Sequence, residues 1–317
     1  MAKSALLKSS IAKKYWMALT GLFLCLFLAG HLAGNLQLIF GTSKQFNEYA
    51  LFMTTNPAVK LLSYLTYISI LFHAIDGILL TVQNRKARPI GYAKTDGSSS
   101  SFASRNMAVL GTIILVFIVT HMVNFWAVMH FDKNMPLQTI TIAQAGQQQE
   151  FYLTTDGGYL PKAQVDQQMV KIENRTEFFD AAANVKIKEG YKDLHKITVA
   201  FFKDPKTGLI ATILYVLAMF TLAFHLLHGF QSAFQTLGIN HKKYTPAIKF
   251  VGIAYAVIIP LAFALIPVLE PSNQQEAYDM AYYGFQLSEK FGVPVLLRIT
   301  TRLAHSRAVV TQKEVLT

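Results

Sequence analysis

Phe72-His73-Ala74-Ile75-Asp76-Gly77 and Phe224-His225-Leu226-Leu227-His228-Gly229 share one frame, Phe-His-x-x-x-Gly, and each lies inside a long apolar run. Two more apolar runs carry one central histidine apiece, His31 and His121, and each follows a glycine by ten residues, Gly21 and Gly111. The first and second runs therefore look like the third and fourth. An imidazole in hydrocarbon is costly unless something uses it, so one histidine in each of four runs reads as a set of ligands. The plain alternative is a polar residue that ties one helix to another. A metal-ion transporter would also use such histidines, but it would add carboxylates, and only Asp76 is present in these runs.

Around the histidines the chain reads as an all-α integral membrane protein, a five-helix transmembrane bundle. Five stretches are long enough to cross roughly 30 Å of hydrocarbon: Trp16 to Phe40, Leu61 to Val82, Met107 to Met129, Leu209 to Phe234 and Phe250 to Leu269. The first is too long for a cleaved signal peptide and no small-residue cleavage pattern follows it, so the N-terminus is expected to be retained. Lys3, Lys8, Lys13 and Lys14 precede the first run. Arg85, Lys86, Arg88, Lys94 and Arg105, against Asp96, lie between the second and third, and Lys242, Lys243 and Lys249 between the fourth and fifth. Together these regions carry +11, the whole formal net charge. The positive-inside rule then places them, and the N-terminus, in the cytoplasm. Tyr15 and Trp16 at the inner edge and Trp126 at the outer one suit interfacial anchors. The basic charge needs no nucleic acid to explain it.

The polar connection from His130 to Lys206 falls outside by this topology. It is too long for a bare loop, and a small external cap with some helix, around Asn174 to His195, is expected. Cys25 is the single cysteine, which excludes a disulfide, a Cys-x-x-Cys-His haem attachment and a cysteine-held iron-sulfur cluster. Any redox centre is then held by histidine.

Depth pairs the histidines. His31 is 17 residues from Lys14 and His121 is 16 from Arg105, whereas His73 is 12 from Arg85 and His225 is 13 from Gly238. At about 1.5 Å per residue the first two sit some 6 Å farther from the cytoplasm. Two imidazoles from facing helices at equal depth are what a six-coordinate b-type haem needs, so His31/His121 and His73/His225 are expected to hold two haems. Small residues near the ligands, Gly30, Ala33, Gly34, Ala74, Gly77, Gly229 and Ala233, would let porphyrins approach the backbone. Ser69 and Thr221 stand four residues before the inner histidines as candidate tautomer-setting partners, or as side chains bonded to their own helix. Asp76 and His228 read as a pair that handles protons or supports the inner site. His130, His195, His241 and His305 lie outside the runs and read as surface residues.

The stretches Leu28-Ala29-Gly30-His31-Leu32-Ala33-Gly34-Asn35, Phe72-His73-Ala74 with Gly77, Val119-Thr120-His121, and Phe224-His225 with Gly229 resemble the five-helix di-haem cytochrome b anchor of succinate dehydrogenases and quinol:fumarate reductases. The resemblance runs from the N-terminus to Leu269, with the long loop before the fourth run as a departure. It implies two haem b groups, with His31, His121, His73 and His225 as iron ligands. It also implies cytoplasmic flavoprotein and iron-sulfur partner subunits, a bacterial inner-membrane location and menaquinone or another quinone as substrate. Succinate chemistry would stay on the partner. Lys14, Arg105 and Lys242 would neutralise haem propionates, and Glu48 is the carboxylate best placed for a quinone near the outer haem, against the plain reading of a solvated loop residue. The alternatives are a di-haem cytochrome b of a formate dehydrogenase or hydrogenase, or a non-redox transporter.

From about Glu270 the chain changes character. Gln274-Gln275-Glu276-Ala277-Tyr278-Asp279 and Val293-Pro294-Val295-Leu296-Leu297-Arg298-Ile299-Thr300-Thr301-Arg302 resemble part of the thiamine-diphosphate subunit of indolepyruvate ferredoxin oxidoreductase. About 40 residues carry that likeness, without a complete cofactor site. Residues 270–317 read as a soluble tail, fused or misjoined, and no activity is assigned to them.

Overall fold

The computed structural model describes residues 9–88, 90, 101–144 and 147–268, with 278, 281–283, 285–286 and 289–290 beyond them. Five helical stretches are long and apolar enough to cross a membrane: Ser10–Phe40, Pro57–Ala87, Met107–Phe131, Gly208–Thr236 and Thr245–Leu265. They comprise α1 (Ser10–Asn35) with α2 (Gln37–Phe40), α4 (Pro57–Ala87), α6 (Met107–His121), a π-helical turn (Met122–Ala127) and α7 (Val128–Phe131), α10 (Gly208–Thr236) and α11 (Thr245–Leu265). Two shorter helices lie between them, α3 (Ser43–Thr55) and α5 (Phe102–Arg105).

Local chemistry fixes the ends of these helices. Asn56 caps α4 by accepting from the Ala58 and Val59 amides, with Pro57 at the first helical position, where no amide hydrogen is needed. Thr42 and Gln45 form a reciprocal capping box on α3. Helix α10 stops at Gly238, whose φ of +82° is the left-handed conformation that ends a helix without a Cβ clash. Large apolar side chains point outward along the long helices, with Leu26 72 % exposed and Leu209 and Phe250 each 74 %.

The four histidine-bearing helices form a square. Helix α1 packs on α4 and α10, and α6 packs on the same two, so α1 faces α6 across one diagonal and α4 faces α10 across the other. Helix α11 closes the outside against α10 and α1. There Gly252 lets the Phe230 ring come within 2.9 Å of where a Cβ would stand, and the Tyr255 hydroxyl donates to the Cys25 carbonyl. Lys14, Arg105 and Lys242 all lie at one end of the square, the basic end, and are exposed.

The segment between α7 and α10 caps the other end, and it is mainly β. Strands β1 (Thr139–Gln144), β2 (Gln147–Leu153) and β3 (Tyr159–Pro161) form one antiparallel sheet. Helix α8 (Lys162–Asp166) follows. Strands β4 (Val170–Glu173), β5 (Glu177–Asp180) and β6 (Lys186–Glu189) form a second antiparallel sheet. The helix expected around Asn174 to His195 is therefore corrected to two strands and their turns. Asn174 and Arg175 have φ of +48° and +72°, and Asn184 +55°. Consecutive left-handed residues break a helix and make hairpin turns instead. Only at Leu194 does a helix begin, α9 (Leu194–Lys203), which leads back to the bundle.

The cap core is small: Leu137, Leu160, Val170 and Phe178, flanked by Tyr152 and Val165. Its exposed lysines are paired with acids, Lys162 with Glu150, Lys186 with Glu177 and Glu189, and Lys188 with Asp156. Lys188, Thr154 and the Gly158 amide hold the Asp156 carboxyl below the usual carboxylate range. Two other cations serve as anchors: Lys192 donates to the Met129 carbonyl at 2.7 Å and Arg175 to that of His130. Both complement the negative carbonyl end of the α6–α7 stretch. Burial and the neighbouring Arg175 push Lys192 below the ordinary lysine range.

Asn47 of α3 joins cap to bundle. It is 1 % exposed, donates to Asp193 Oδ1 at 2.9 Å and accepts from the His195 amide at 3.0 Å. Replacing Asn47 with alanine leaves a buried carboxylate oxygen and an amide without this partner, a cost of about 1–3 kcal/mol. Hydrogen exchange over residues 190–203 is expected to rise by at least tenfold. An unchanged rate would show that the contact does not hold the cap.

A candidate four-histidine redox centre

The square brings its histidines together in two pairs, each across a diagonal. The His31 and His121 rings have centroids 5.9 Å apart at an interplanar angle of 87°, and the His73 and His225 rings 6.3 Å apart at 67°. Two imidazoles bound on opposite sides of one ion, at about 2.0–2.1 Å per bond, hold their centroids on the order of 6 Å apart. The centroid spacing in both pairs is of that order.

The glycines of the repeated frame face the other pair. A Cβ on Gly21 would meet His73 Cε1 at 3.2 Å, and one on Gly111 would meet His225 Cε1 at 3.7 Å. The two helices that carry His31 and His121 thus each present a glycine to the other pair. His31 and His121 each lie ten residues beyond these glycines, so the layers are separated by about 15 Å along the helices. This corrects the sequence estimate of some 6 Å. Lys14, Arg85 and Gly238 sit on helices of different overhang and are not a common reference plane.

Second contacts set the ring tautomers. Thr20 Oγ1 stands 3.2 Å from His73 Nδ1 while giving its own hydrogen to the Trp16 carbonyl at 2.8 Å. With that hydrogen engaged, Thr20 Oγ1 is placed to accept from His73, whose ring also bonds the Met17 backbone; a proton on Nδ1 would leave the Nε2 lone pair for a metal. Asn35 lies 3.4 Å from the His31 ring nitrogens, and Tyr215 Oη lies 3.3 Å from His121 Nδ1. His225 Nδ1 is buried without a hydrogen-bond partner. Sequence reasoning sought such partners at Ser69 and Thr221. Thr221 instead bonds the Leu217 carbonyl of its own helix, and Thr20, from a neighbouring helix, supports His73.

Of the small residues expected beside the ligands, Gly34 makes room for a side chain. A Cβ there would meet Tyr49 Oη at 2.8 Å. Ring stacking with Phe27 and contact with Phe263 hold His31 in place. Asp76 and His228 are half-buried near the His73/His225 layer, Asp76 within electrostatic reach of Lys13 and His73, and His228 of His225. Among the described residues no group of three or more His, Cys, Asp or Glu side chains converges. Each layer therefore brings together two histidine side chains.

Glu48 is not a loop residue. It lies in α3, 3.6 Å from Lys44, and lines a cleft of about 650 Å³ at the cap end with Ala33, Gln37, Phe40, Gln45 and Tyr49. His130 is half-buried rather than on the surface, stacked on Trp126, whose indole donates to Tyr67 Oη at 2.9 Å. His195 carries its ring against Phe46. His305 and most of the tail lie outside the described residues.

Comparison with known proteins finds likeness in the tail. The C-terminal part is 62 % identical over 45 residues to the indolepyruvate oxidoreductase subunit IorA of Pyrococcus horikoshii, covering 14 % of this chain and 7 % of that one. It is 53 % identical over 47 residues to the IorA of Methanothermobacter thermautotrophicus, covering 15 % and 8 %. The chain thus spans under a tenth of the length of these relatives. No family model and no solved structure matches the chain.

Proposed function

We propose that this chain is the di-haem membrane subunit of a succinate dehydrogenase or quinol:fumarate reductase, carrying electrons between an iron-sulfur partner and a quinone. The observation that carries the reading is the pair of histidine pairs: two layers, each with two imidazoles facing across a gap of one ion. Two protein ligands per layer leave an ion short of donors unless a planar macrocycle supplies the rest, and a porphyrin does so. The Gly21 and Gly111 faces, bare of side chains beside the opposite pair, fit a flat group sliding past the backbone.

A bound haem supplies reversible one-electron transfer at its iron. The chain's own part is to hold the rings. Thr20 fixes the His73 tautomer, Phe27 and Phe263 wedge His31, and the apolar helices keep water away. Outward apolar side chains such as Leu26, Leu209 and Phe250 fit a lipid surround, since so much exposed hydrocarbon would otherwise drive aggregation. The basic end, with Lys14, Arg105 and Lys242, suits the cytoplasmic face, where cations would meet propionates and the flavoprotein and iron-sulfur subunits. The proposed location is the bacterial inner membrane. The IorA-like tail takes no part in this reading.

Near the cap-end layer, the Glu48 cleft is the proposed quinone site, with the carboxylate passing protons to or from the quinone, menaquinone by the resemblance. Glu48→Gln is expected to slow quinone turnover about 10²-fold while both haems stay bound. Turnover that stays at the unsubstituted rate would remove Glu48 from the site. The experiment that tests the function is purification of the full chain with its partners. Succinate-to-quinone electron transfer is expected in the complex, whereas formate- or hydrogen-linked reduction would assign it to another quinone-linked dehydrogenase.

A further inference from the structure

We propose that Tyr215 is a positioning residue for the cap-end ligand pair, tuning His121 through a His121–Tyr215–Asn124 hydrogen-bond chain that the cap's exit helix clamps shut. The proposal rests on His31 and His121 being haem ligands.

An imidazole that binds metal through one nitrogen carries its proton on the other. Tyr215 Oη lies 3.3 Å from His121 Nδ1. With Nε2 on the metal, Nδ1 donates to the phenol oxygen. Tyr215 Oη also takes a hydrogen bond from the Asn124 side-chain amide, so the phenol oxygen is the acceptor that His121 and Asn124 share. Asn124 belongs to the π-helical turn Met122–Ala127, directly after His121. Such turns re-aim side chains and are frequent at functional sites. The proton stays on Nδ1 throughout, and the effect is on how strongly His121 donates to the metal.

The ring of Tyr215 is held on every side by aromatic groups. Phe117 and Phe202 meet it edge to face at 4.9 and 5.0 Å, and Phe201 lies 6.0 Å away. Phe201 and Phe202 come from α9, and Phe202 is pinned where its carbonyl lies against Gly208, 2.8 Å or less from where a Cβ would stand. The cap therefore reaches the ligand pair through these two rings. Its other end is tied to α3 by Asn47.

The repeat makes Tyr215 distinctive. It precedes His225 by ten residues, as Ser63 precedes His73. Ser63 only bonds the Val59 carbonyl of its own helix. Where the second helix has Ser63, the fourth has a phenol beside His121.

The test is a redox titration of the full chain followed by visible absorbance. Tyr215→Phe keeps the ring and removes the oxygen. Both haems are expected to remain. The wave that disappears in His31→Ala should move to a more positive potential, because His121 donates less to oxidised iron once its Nδ1–H acceptor is gone, and the other wave should stay in place. Asn124→Ala, which leaves the phenol oxygen to His121 alone, should move the same wave in the opposite direction by less. If both waves keep their potentials in Tyr215→Phe, or shift together, the role of Tyr215 is overturned. A chain that binds no haem before any substitution would instead overturn the ligand reading on which this rests.

Discussion

Replacing His31 with alanine is expected to leave the proposed di-haem protein with one haem in place of two, and the haem expected to go is the one at the cap end. In the proposed reading each layer would hold its haem by two histidines, so losing one removes half of the protein's hold on it. The 5.9 Å gap to His121 is then open on one side. His73 and His225 are untouched, about 15 Å away along the helices, and keep Thr20 and Gly21 around them. The reduced-minus-oxidised band should fall to about half, with a remaining spectrum matching that of His121→Ala. His73→Ala should leave the complementary half. Equal loss of both haems in every variant would contradict two independent layers.

Phe178→Ala unfolds the cap while leaving the bundle. Phe178 is 0 % exposed, and Gly190 admits its ring to within 2.9 Å of where a Cβ would stand. Removing a buried phenylalanine costs about 3–5 kcal/mol. The core around it is only Leu137, Leu160, Val170 and the flanking Tyr152 and Val165, and a unit that small is marginal to begin with. Limited proteolysis of the purified full chain should cut between residues 139 and 193 many-fold faster, with the spanning helices intact. The inner His73/His225 haem should be retained. If cleavage is no faster than in the unsubstituted chain, Phe178 is not the keystone of the cap.

The parts of this structure that were legible in the sequence are those set by periodic hydrocarbon. The long apolar runs mark the five helices, because burying or embedding such a face demands it. The repeated frame marks which helices are equivalent. From it the grouping of His31 with His121 and of His73 with His225 follows, and the square brings the same rings within 5.9 and 6.3 Å of each other. Gly21 and Gly111 were visible only as markers. Their use, facing the opposite layer's histidine, depends on how helices are arranged around the square.

What escaped was chemistry between distant residues. The partner of His73 is Thr20 on another helix, not Ser69 on its own, and no spacing rule connects residues 53 apart. The π-helical turn at Met122–Ala127 has no local sequence mark. The cap strands are four residues long at β4, β5 and β6, and β6, Lys186-Ile187-Lys188-Glu189, is mostly charged. A strand that short gives too few alternations to be told from a helix segment. The left-handed pair Asn174 and Arg175 was the local signal available: an asparagine at a turn is ordinary, but the arginine beside it is not.

The most direct test of the central claim is the haem content of the purified full chain, by reduced-minus-oxidised spectrum and extracted haem per polypeptide. Two b-type haems per chain, falling to one in His31→Ala and to one in His73→Ala, is the expected result. A protein without b-type bands, or with a single haem that either substitution abolishes, would contradict it.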